Sequence, residues 1–476
     1  MKISLIEVPS IHYRDDTAIV IFPSKPYWFS ATKEIGIILN SLHFEKPKAI
    51  IKNIAQLLQV SREEAKEIYT ETTELLYSAG VLAINGKTAE IHTSSPDFQV
   101  NDVENVLVIA TTQECNLSCP MCYAMAKNKL KNEMTTGQIK DIVNQLKKMP
   151  WENGISRVAL TGGELFLRPD VIELIEYVHN LGFYVQVNTN ATLLTEDQIK
   201  SLAQFSRLHI SISLDGCQAS THDFIRGVGM FDLTVKNIRL LCQSGVSTAI
   251  NMFVHSGNIN EIKDTLLLAH SLGVSGANCL NMMNVGRGNS PRTKRVLEGV
   301  PLSVFYREFF EAIRYDFRLQ KLTSNSTFAN QIMGIAGGVK SFSCGIGTNR
   351  AIYVKPDGSL YPCADTAIPF FRLGNLTTDN LAEIWKNSPL LHKLRSLNID
   401  SMNSKCAACE VRYQCAGNCR GENFQTTKNL ESPHFKCDEI RDSIMELMWI
   451  LTEEPDLFKF KVDNLYEKVN AHASVA

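Results

Sequence analysis

The chain contains, at residues 114–123, the segment Glu114-Cys115-Asn116-Leu117-Ser118-Cys119-Pro120-Met121-Cys122-Tyr123, whose three cysteines are spaced C-x₃-C-x₂-C. The segment directly follows an apolar, β-branched run at 106–110, which predicts a strand. Three thiolates on a short loop can bind three irons of a cubane cluster and leave the fourth iron without a protein ligand. The alternatives are a zinc site and three unrelated thiols, although zinc usually takes paired C-x₂-C or Cys/His ligands.

The spacing resembles the C-x₃-C-x-φ-C motif of radical S-adenosylmethionine (SAM) enzymes, with Met121 at the φ position. The resemblance implies that Cys115, Cys119 and Cys122 are the catalytic cysteines and bind a [4Fe–4S] cluster. In that family the open iron chelates SAM, and an electron from the cluster cleaves SAM to methionine and a 5′-deoxyadenosyl radical. Met121 and Tyr123 are then expected beside the cofactor.

Length and composition describe an ordinary globular protein. The 476 residues suffice for about three domains, with 44% hydrophobic and 21% charged residues. A net charge of −2 gives no basic footprint for nucleic acid and no polybasic membrane anchor. Because the first residues lack a signal-peptide pattern and no apolar run approaches a membrane span, we expect a cytoplasmic protein that binds neither nucleic acid nor membrane.

The cysteines are distributed unevenly. Of thirteen, three lie at 115–122 and seven lie between Cys344 and Cys437. Without an export signal, clustered thiols favour metal binding in a reducing cytosol over disulfides. The isolated Cys217, Cys242 and Cys279 are interpreted as small buried hydrophobic residues.

Residues 1–95 show a pattern of short strands followed by helices. Alternating apolar residues predict strands, Ser30 is a plausible N-cap for the first helix, and Ser61 with Glu64 forms a capping box. Asn85-Gly86 predicts the turn of a closing hairpin. The predicted strands are 11–13, 18–22 and 27–29, the later helices 47–58 and 61–79, and the hairpin strands 81–84 and 88–91.

This layout predicts a winged-helix domain, whose default function would be DNA binding. Five glutamates line the third helix, at 63, 64, 67, 71 and 74, and a phosphate-reading helix should be basic. The layout is similar to the recognition element of enzymes that modify ribosomally made peptides, in which a leader peptide adds a strand to the sheet. The alternative is a purely structural domain. Polar residues 93–97 are predicted to link it to the next domain.

Strand-like and helix-like stretches alternate across 105–325, which predicts a parallel α/β architecture. The six βα units resemble the open, partial (β/α)₆ TIM-like barrel of radical SAM enzymes. Sites in such folds gather at the carboxyl ends of the strands. The predicted strands lie near 106–112, 157–161, 183–188, 208–213, 248–254 and 277–282.

The resemblance also implies a set of SAM contacts at the strand ends. The Gly-Gly-Glu segment would bind the SAM amino group, the third strand end would contact the ribose, and the fourth would hold the ribose or the methionine carboxylate. A glycine-rich turn at 285–288 is similar to the one beside the adenine in that family. The implied residues, in chain order, are Gly162, Gly163, Glu164, Asn188, Asn190, Ser213, Arg226 and Asn251.

The cysteines of residues 326–445 match the seven-cysteine spacing of the SPASM extension of radical SAM enzymes. A four-cysteine zinc ribbon would leave three of them unexplained. The resemblance implies two auxiliary [4Fe–4S] clusters, the second complete and the first held by three thiolates, with no thiol at 345–351 to complete it. The first set is Cys344, Cys363 and Cys419, and the second is Cys406, Cys409, Cys415 and Cys437.

Taken together, the sequence predicts a radical SAM/SPASM peptide maturase of sactipeptide or ranthipeptide type with three [4Fe–4S] clusters and SAM. Its implied partners are a precursor peptide with a leader and an external electron donor of flavodoxin or ferredoxin type. Thioether formation is the preferred reaction, because an open auxiliary iron could hold a cysteine sulfur. The alternatives are carbon–carbon crosslinking, epimerisation, splicing, formylglycine maturation, and a non-enzymatic iron–sulfur regulator. The predicted domains are 1–95, 105–325, 326–445 and a helical tail, 446–476.

Overall fold

The computed structural model describes residues 3–24, 27–42, 46–78, 80–85, 87–88, 105–149, 155–348 and 351–460. The N-terminal part contains two small antiparallel sheets and three helices, and the sheets have the strand orders β2-β3-β4 and β1-β5-β6. Its elements are β1 (Ile3–Leu5), β2 (Ser10–Arg14), β3 (Thr17–Phe22), β4 (Tyr27–Thr32), α1 (Lys33–Leu42), α2 (Pro47–Leu58), α3 (Arg62–Ser78), β5 (Leu82–Ile84) and β6 (Lys87–Thr88).

Local sequence rules describe this part well except at the start of α1. The predicted capping box is confirmed, because the Ser61 N–H donates to Glu64 Oε2 at 2.8 Å and the Glu64 N–H donates to Ser61 Oγ at 3.2 Å. The prediction of Ser30 as an N-cap is wrong. Strand β4 runs on to Thr32, which pairs with Thr17, so the sheet ladder overrides the local capping preference. Gly86, residues 89–91 and the predicted linker 93–97 lie outside the described residues.

The central part is a parallel sheet whose six predicted strands are all present and lie in the order β12-β11-β10-β9-β8-β7. Helices run between them and cover the outer face. The elements are β7 (Asn105–Ala110), α4 (Thr136–Lys147), β8 (Ile155–Thr161), α5 (Val171–Asn180), β9 (Tyr184–Thr189), α6 (Glu196–Leu202), β10 (Leu208–Ser213), α7 (Ala219–Arg226), α8 (Met230–Gln243), β11 (Ser247–Val254), α9 (Ile262–Leu272) and β12 (Gly276–Asn281). This arrangement confirms the expected partial barrel.

The C-terminal part extends the same sheet. Strand β13 pairs in parallel with β7, and β14 and β15 follow in antiparallel order. The elements are α10 (Pro291–Val296), α11 (Leu302–Ile313), α12 (Phe317–Thr323), α13 (Thr327–Ala336), α14 (Gly345–Thr348), β13 (Ala351–Val354), β14 (Ser359–Tyr361), β15 (Gly374–Asn375), α15 (Leu381–Asn387), α16 (Pro389–Arg395), α17 (Ser404–Ala407), α18 (Arg412–Cys415), α19 (Arg420–Thr427) and α20 (Cys437–Glu453). Helix α20 crosses the boundary predicted at 446, and residues 461–476 lie outside the described part.

Strand β3 joins the N-terminal part to the rest of the molecule because both of its faces are buried. Ile19 and Ile21 belong to the core of the large sheet, whereas Val20 and Phe22 belong to the core under α1–α3. The Trp28 indole N–H donates to the carbonyl of Ile335 at 3.1 Å, which fixes β4 against α13. No helix among the described residues is long and apolar enough to cross a membrane.

Candidate active site

The three cysteines of the first motif lie on the loop that leaves β7 at the carboxyl edge of the sheet. The Cys115 N–H donates to the carbonyl of Lys127 at 3.1 Å, and the Cys122 N–H donates to the carbonyl of Cys119 at 3.3 Å. Burial raises the pKa of Cys115 to about 11, and the neighbouring thiols of Cys119 and Cys122 contribute to the rise. Cys119 and Leu117 are buried in one apolar cluster, and Cys115 and Met121 pack against it.

Three thiols on one loop suit a cubane cluster, in which each cysteine binds a different iron. Among the described residues, no group of three His, Cys, Asp or Glu side chains is placed to hold a single metal ion. The Leu117 N–H donates to Cys115 Sγ at 3.4 Å, a contact that would favour a thiolate there.

The Gly162-Gly163 turn after β8 packs directly on the backbone of this loop. The Gly163 N–H donates to the carbonyl of Thr112 and the Glu164 N–H to that of Glu114, each at 2.8 Å. A Cβ added at Gly163 would stand 2.1 Å from Glu114 O, and one at Gly162 would stand 2.6 Å from Thr112 O. Glycine is therefore needed here for backbone-to-backbone contact with the cysteine loop.

Glu164 is turned away from the place that the sequence suggested. Its side chain is fully buried and accepts hydrogen bonds from Thr189 Oγ1 at 2.7 Å and from the backbone N–H groups of Asn190 at 2.8 Å and Phe166 at 3.1 Å. Burial raises the pKa of Glu164 in spite of these donors. The carboxylate ties the ends of β8 and β9 together and does not line the cavity described next.

A cavity of about 570 Å³ opens at the carboxyl edge of the sheet, a volume in the usual range for small-molecule sites. The remaining residues that the sequence assigned to the radical cluster and to SAM all line this cavity. They are Cys115, Cys119, Met121, Cys122, Tyr123, Gly162, Gly163, Asn188, Asn190, Ser213, Arg226 and Asn251. The fold therefore collects strand ends that are far apart in sequence around one space.

Arg226 is held in place by a carboxylate that sequence reasoning missed. Asp215 is fully buried, its Oδ2 accepts from Arg226 Nε at 2.5 Å, and its Oδ1 accepts from the Phe253 N–H at 2.9 Å. Arg226 Nη1 then reaches to 3.6 Å from Cys119 Sγ. Although burial opposes it, Asp215 raises the pKa of Arg226 and keeps the guanidinium charged beside the cysteine loop. Asp215 lies two residues after Ser213, so its position at a strand end was the available sequence signal.

Members of each predicted set of C-terminal cysteines lie near one another. Burial is the largest cause that raises the pKa of Cys419, and Asp365 and the thiols of Cys344 and Cys363 raise it further. In the other set, burial raises the pKa of Cys415 to about 12, and Cys409 and Cys406 contribute. The second set, Cys406, Cys409, Cys415 and Cys437, lines a recess of about 460 Å³.

A buried arginine lies between the two sets. Arg420 is fully buried, and its guanidinium donates to the carbonyls of Leu430 at 3.2 Å and Ser432 at 2.8 Å. Burial raises the pKa of Cys344 and of Cys415, and the charge of Arg420 lowers both in opposition. A buried cation next to both sets suits thiolate ligands, which add negative charge to the interior.

Part of the cavity wall comes from the C-terminal part, and no sequence motif pointed to its residues. Its polar residues are Asp365, Asn418, Glu422, His434 and Lys436. Glu422 Oε1 accepts from the Asn284 N–H at 2.8 Å, and its Oε2 lies 3.6 Å from His434 Nε2. Burial opposes ionisation of Glu422, but His434 and the Asn284 N–H lower its pKa overall. Asp365 Oδ2 lies 3.6 Å from Cys419 Sγ, so this wall adjoins the first auxiliary set.

Two family models match the chain. The model described as the Radical SAM superfamily matches residues 109–269. The SPASM model, described as an iron-sulfur cluster-binding domain, matches residues 344–410. The two matches include the cysteine loop and the start of the seven-cysteine region, so iron–sulfur clusters and SAM are the cofactors of this fold.

Several known proteins align with most of this chain. Mycofactocin maturase MftC of Mycobacterium tuberculosis is 28% identical over 335 residues, which cover 68% of this chain and 81% of that protein. The antilisterial bacteriocin subtilosin biosynthesis protein AlbA of Bacillus subtilis is 28% identical over 365 residues, covering 75% and 76%. The crystal structure of Streptococcus suis SuiB bound to precursor peptide SuiA has a TM-score of 0.57 at 15% identity, covering 91% of this chain and 98% of that one. That likeness concerns the fold.

Substituting the second glycine of the turn tests its contact with the cysteine loop. We expect Gly163→Ala to displace the loop, because its Cβ would overlap Glu114 O. The change should lower both iron at the radical site and SAM cleavage by about 10- to 100-fold, as when other supports of a metal site are lost. Gly137→Ala is the control, since its Cβ would meet only Thr135 Oγ1, at 3.9 Å. Wild-type iron content and SAM cleavage in Gly163→Ala would show that the contact at Gly163 does not position the cysteine loop.

Removing the charge of Asp215 tests how Arg226 is held. We expect Asp215→Asn to raise the dissociation constant of SAM by roughly tenfold to a hundredfold, because the guanidinium loses its buried anchor. Calorimetric titration of SAM into the anaerobically reconstituted enzyme measures this directly. Asp232→Asn, an exposed carboxylate in the first turn of α8, should leave the affinity unchanged. An unaltered affinity in Asp215→Asn would show that Arg226 is positioned by other groups.

Proposed function

Because this chain belongs to the radical SAM enzymes that carry a SPASM domain, we propose that it forms thioether crosslinks in a ribosomally made precursor peptide. When bound, the reduced [4Fe–4S] cluster and SAM supply a 5′-deoxyadenosyl radical. The cavity residues bind SAM, orient it toward the peptide and keep water from the radical. Relatives named as maturases and as a bacteriocin biosynthesis protein, and the SuiB structure with its precursor peptide, support a peptide as the substrate.

The observation that carries the proposal is the presence of two chemically different walls around one cavity. Cys115, Cys119 and Cys122 lie on the barrel side. Asp365 and Asn418 line the same cavity from the C-terminal part, and Asp365 adjoins the first auxiliary set through its contact with Cys419. A peptide side chain in this cavity would therefore be close both to a source of radicals and to an auxiliary iron–sulfur site.

Thioether formation follows from the composition of the first auxiliary set. It has three cysteines, and the sequence from 345 to 351 offers no further thiol. An iron without a protein ligand is suited to binding the sulfur of a peptide cysteine. Forming one carbon–sulfur bond removes two hydrogens from the peptide. One leaves the carbon as a hydrogen atom, taken by the 5′-deoxyadenosyl radical, and the other leaves the thiol as a proton while one electron passes to an iron–sulfur cluster.

The N-terminal sheet offers a place for the leader. Within the described residues, β4 pairs only with β3, whereas Ser10 and His12 on β2 contact Glu410 of the C-terminal part. An extended peptide can therefore add a strand beside β4 through main-chain hydrogen bonds. Since β3 shares its core with the large sheet, a leader on β4 would be fixed in position relative to the catalytic cavity.

The remaining assignments follow from this proposal. We assign residues 1–95 to leader recognition, 105–325 to the radical barrel and 326–445 to the auxiliary clusters. None of the thirteen cysteines, all of which are among the described residues, forms a disulfide, which agrees with a reducing cytoplasmic setting in which a small electron carrier reduces the radical cluster.

Mass spectrometry of a candidate precursor peptide tests the proposed reaction. After anaerobic incubation with reconstituted enzyme, SAM and reductant, we expect a loss of about two hydrogens per crosslink. The cysteine involved should no longer react with iodoacetamide, and fragmentation should place the bond between its sulfur and a carbon. Peptide lacking its leader should be modified much more slowly. Deleting residues 1–95 is a poorer comparison, because it would remove Ile19 and Ile21 from the main core.

Other outcomes identify the competing reactions. The same mass loss with a reactive cysteine would indicate a carbon–carbon bond. A mass that is unchanged in ordinary water but rises through deuterium uptake at one carbon in heavy water would indicate epimerisation. Backbone cleavage would indicate splicing, and a new aldehyde would indicate formylglycine formation. Each of these results would replace the thioether proposal. Cys115→Ala is the control that should abolish every radical-dependent product.

A further inference from the structure

Two short segments that flank the cysteine loop are strongly basic although the chain has a net charge of −2. The first segment follows the loop directly, and the second forms α10. We call the exposed cations of both segments the basic collar. It consists of Lys127, Lys129, Lys131, Arg292, Lys294 and Arg295.

The first half of the basic collar is hydrogen-bonded to the loop itself. Lys127 forms a parallel β-bridge with Glu114, and its carbonyl accepts from the Cys115 N–H at 3.1 Å. Its ammonium group donates to Ser118 Oγ at 2.6 Å. Lys129 and Lys131 follow within four residues of Lys127, and both are exposed.

The second half of the basic collar is attached at the other end of the loop. On α10, the buried Thr293 donates through Oγ1 to the carbonyl of Pro120 at 2.7 Å. Just before α10, Arg287 donates to the carbonyls of Cys119 and Ala126, each at 2.9 Å. These hydrogen bonds attach α10, with its exposed cations, to the backbone of the cysteine loop.

These charges are not neutralised locally. None of the six side chains belongs to an ion pair within the part of the chain that the structure describes. The nearby Glu133 carboxylate is occupied by Thr112 Oγ1 and by the backbone N–H groups of Gln113 and Leu130. Glu298, just after α10, is an exposed acid at the edge of the collar. The surface over the loop therefore carries a net positive charge.

We propose that the basic collar is the docking surface for a small acidic protein that carries one electron to the radical cluster. Asn116 and Ser118 are exposed between the cysteines, so the cluster site lies directly beneath this surface. Each reductive cleavage of SAM consumes one electron, and the electron for the first cleavage must reach the site from outside the chain. A local positive surface attracts an acidic carrier and orients it over the loop, while the acidic remainder of the molecule repels it.

A direct binding measurement with matched charge reversals tests the proposal. Flavodoxin, reduced by its reductase and NADPH, is the probe for the anaerobically reconstituted holoenzyme. We expect Lys129→Glu/Lys131→Glu/Arg295→Glu to raise the dissociation constant for flavodoxin, and to slow flavodoxin-driven formation of 5′-deoxyadenosine, by roughly 10- to 100-fold at low salt. SAM cleavage driven by dithionite should remain at the wild-type rate, because a small reductant needs no docking surface.

Lys236→Glu/Arg239→Glu/Lys263→Glu is the matched control, since it reverses three exposed cations on α8 and α9. It changes the net charge equally and should retain most of the flavodoxin affinity. Equal weakening in both triple variants would overturn the proposal, as would unchanged affinity in the collar variant. If neither flavodoxin nor ferredoxin binds the wild-type enzyme, or if duplex DNA binds the collar more tightly than both, the proposal also fails. Because flavodoxin binding is measured directly, its dissociation constant tests the proposal even if the collar variant loses the radical iron–sulfur cluster.

Discussion

The close contact between the Gly162-Gly163 turn and the backbone of the cysteine loop is the constraint on which the site depends. Hydrogen bonds from Gly163 and Glu164 to Thr112 and Glu114 hold the loop against the end of β8 at a distance that no side chain would allow. Glu164 then continues the connection to β9. Because the three thiols are placed by backbone contacts, their positions follow from the sheet itself.

The same sheet relates the three parts of the chain to one another. Strand β13 extends it beside β7, so the auxiliary cysteines are built onto the strand that delivers the radical cysteines. Strand β3 is buried between the core of this sheet and the N-terminal helices. A peptide bound at the N-terminal edge and a side chain inside the cavity would therefore be held by one continuous packed structure, which limits the positions from which hydrogen can be abstracted.

Much of the site was predictable because parallel strands end at one edge, so residues after each strand meet in space. The cysteines and the strand ends from Asn188 to Asn251 follow this rule and line one cavity. Glu164 lies at the same edge, but its carboxylate accepts hydrogen bonds from Thr189 and from the Asn190 N–H and does not line the cavity. Glu422, His434 and Asp365 could not be found, since they lie on the short helix α19 and on irregular segments that carry no recognisable sequence motif. The prediction that Ser30 caps α1 was wrong because strand pairing continues through Ser30 to Thr32 in β4.

The central claim is that a peptide carbon in this cavity gives its hydrogen to the radical made at the cysteine loop. Deuterium transfer tests it most directly: the precursor peptide is labelled with deuterium at carbon, and the 5′-deoxyadenosine formed in a single turnover is analysed for the label. We predict deuterated 5′-deoxyadenosine in proportion to modified peptide. Unlabelled 5′-deoxyadenosine alongside unmodified peptide, even with the leader present, would contradict the claim and assign the cavity to a different substrate.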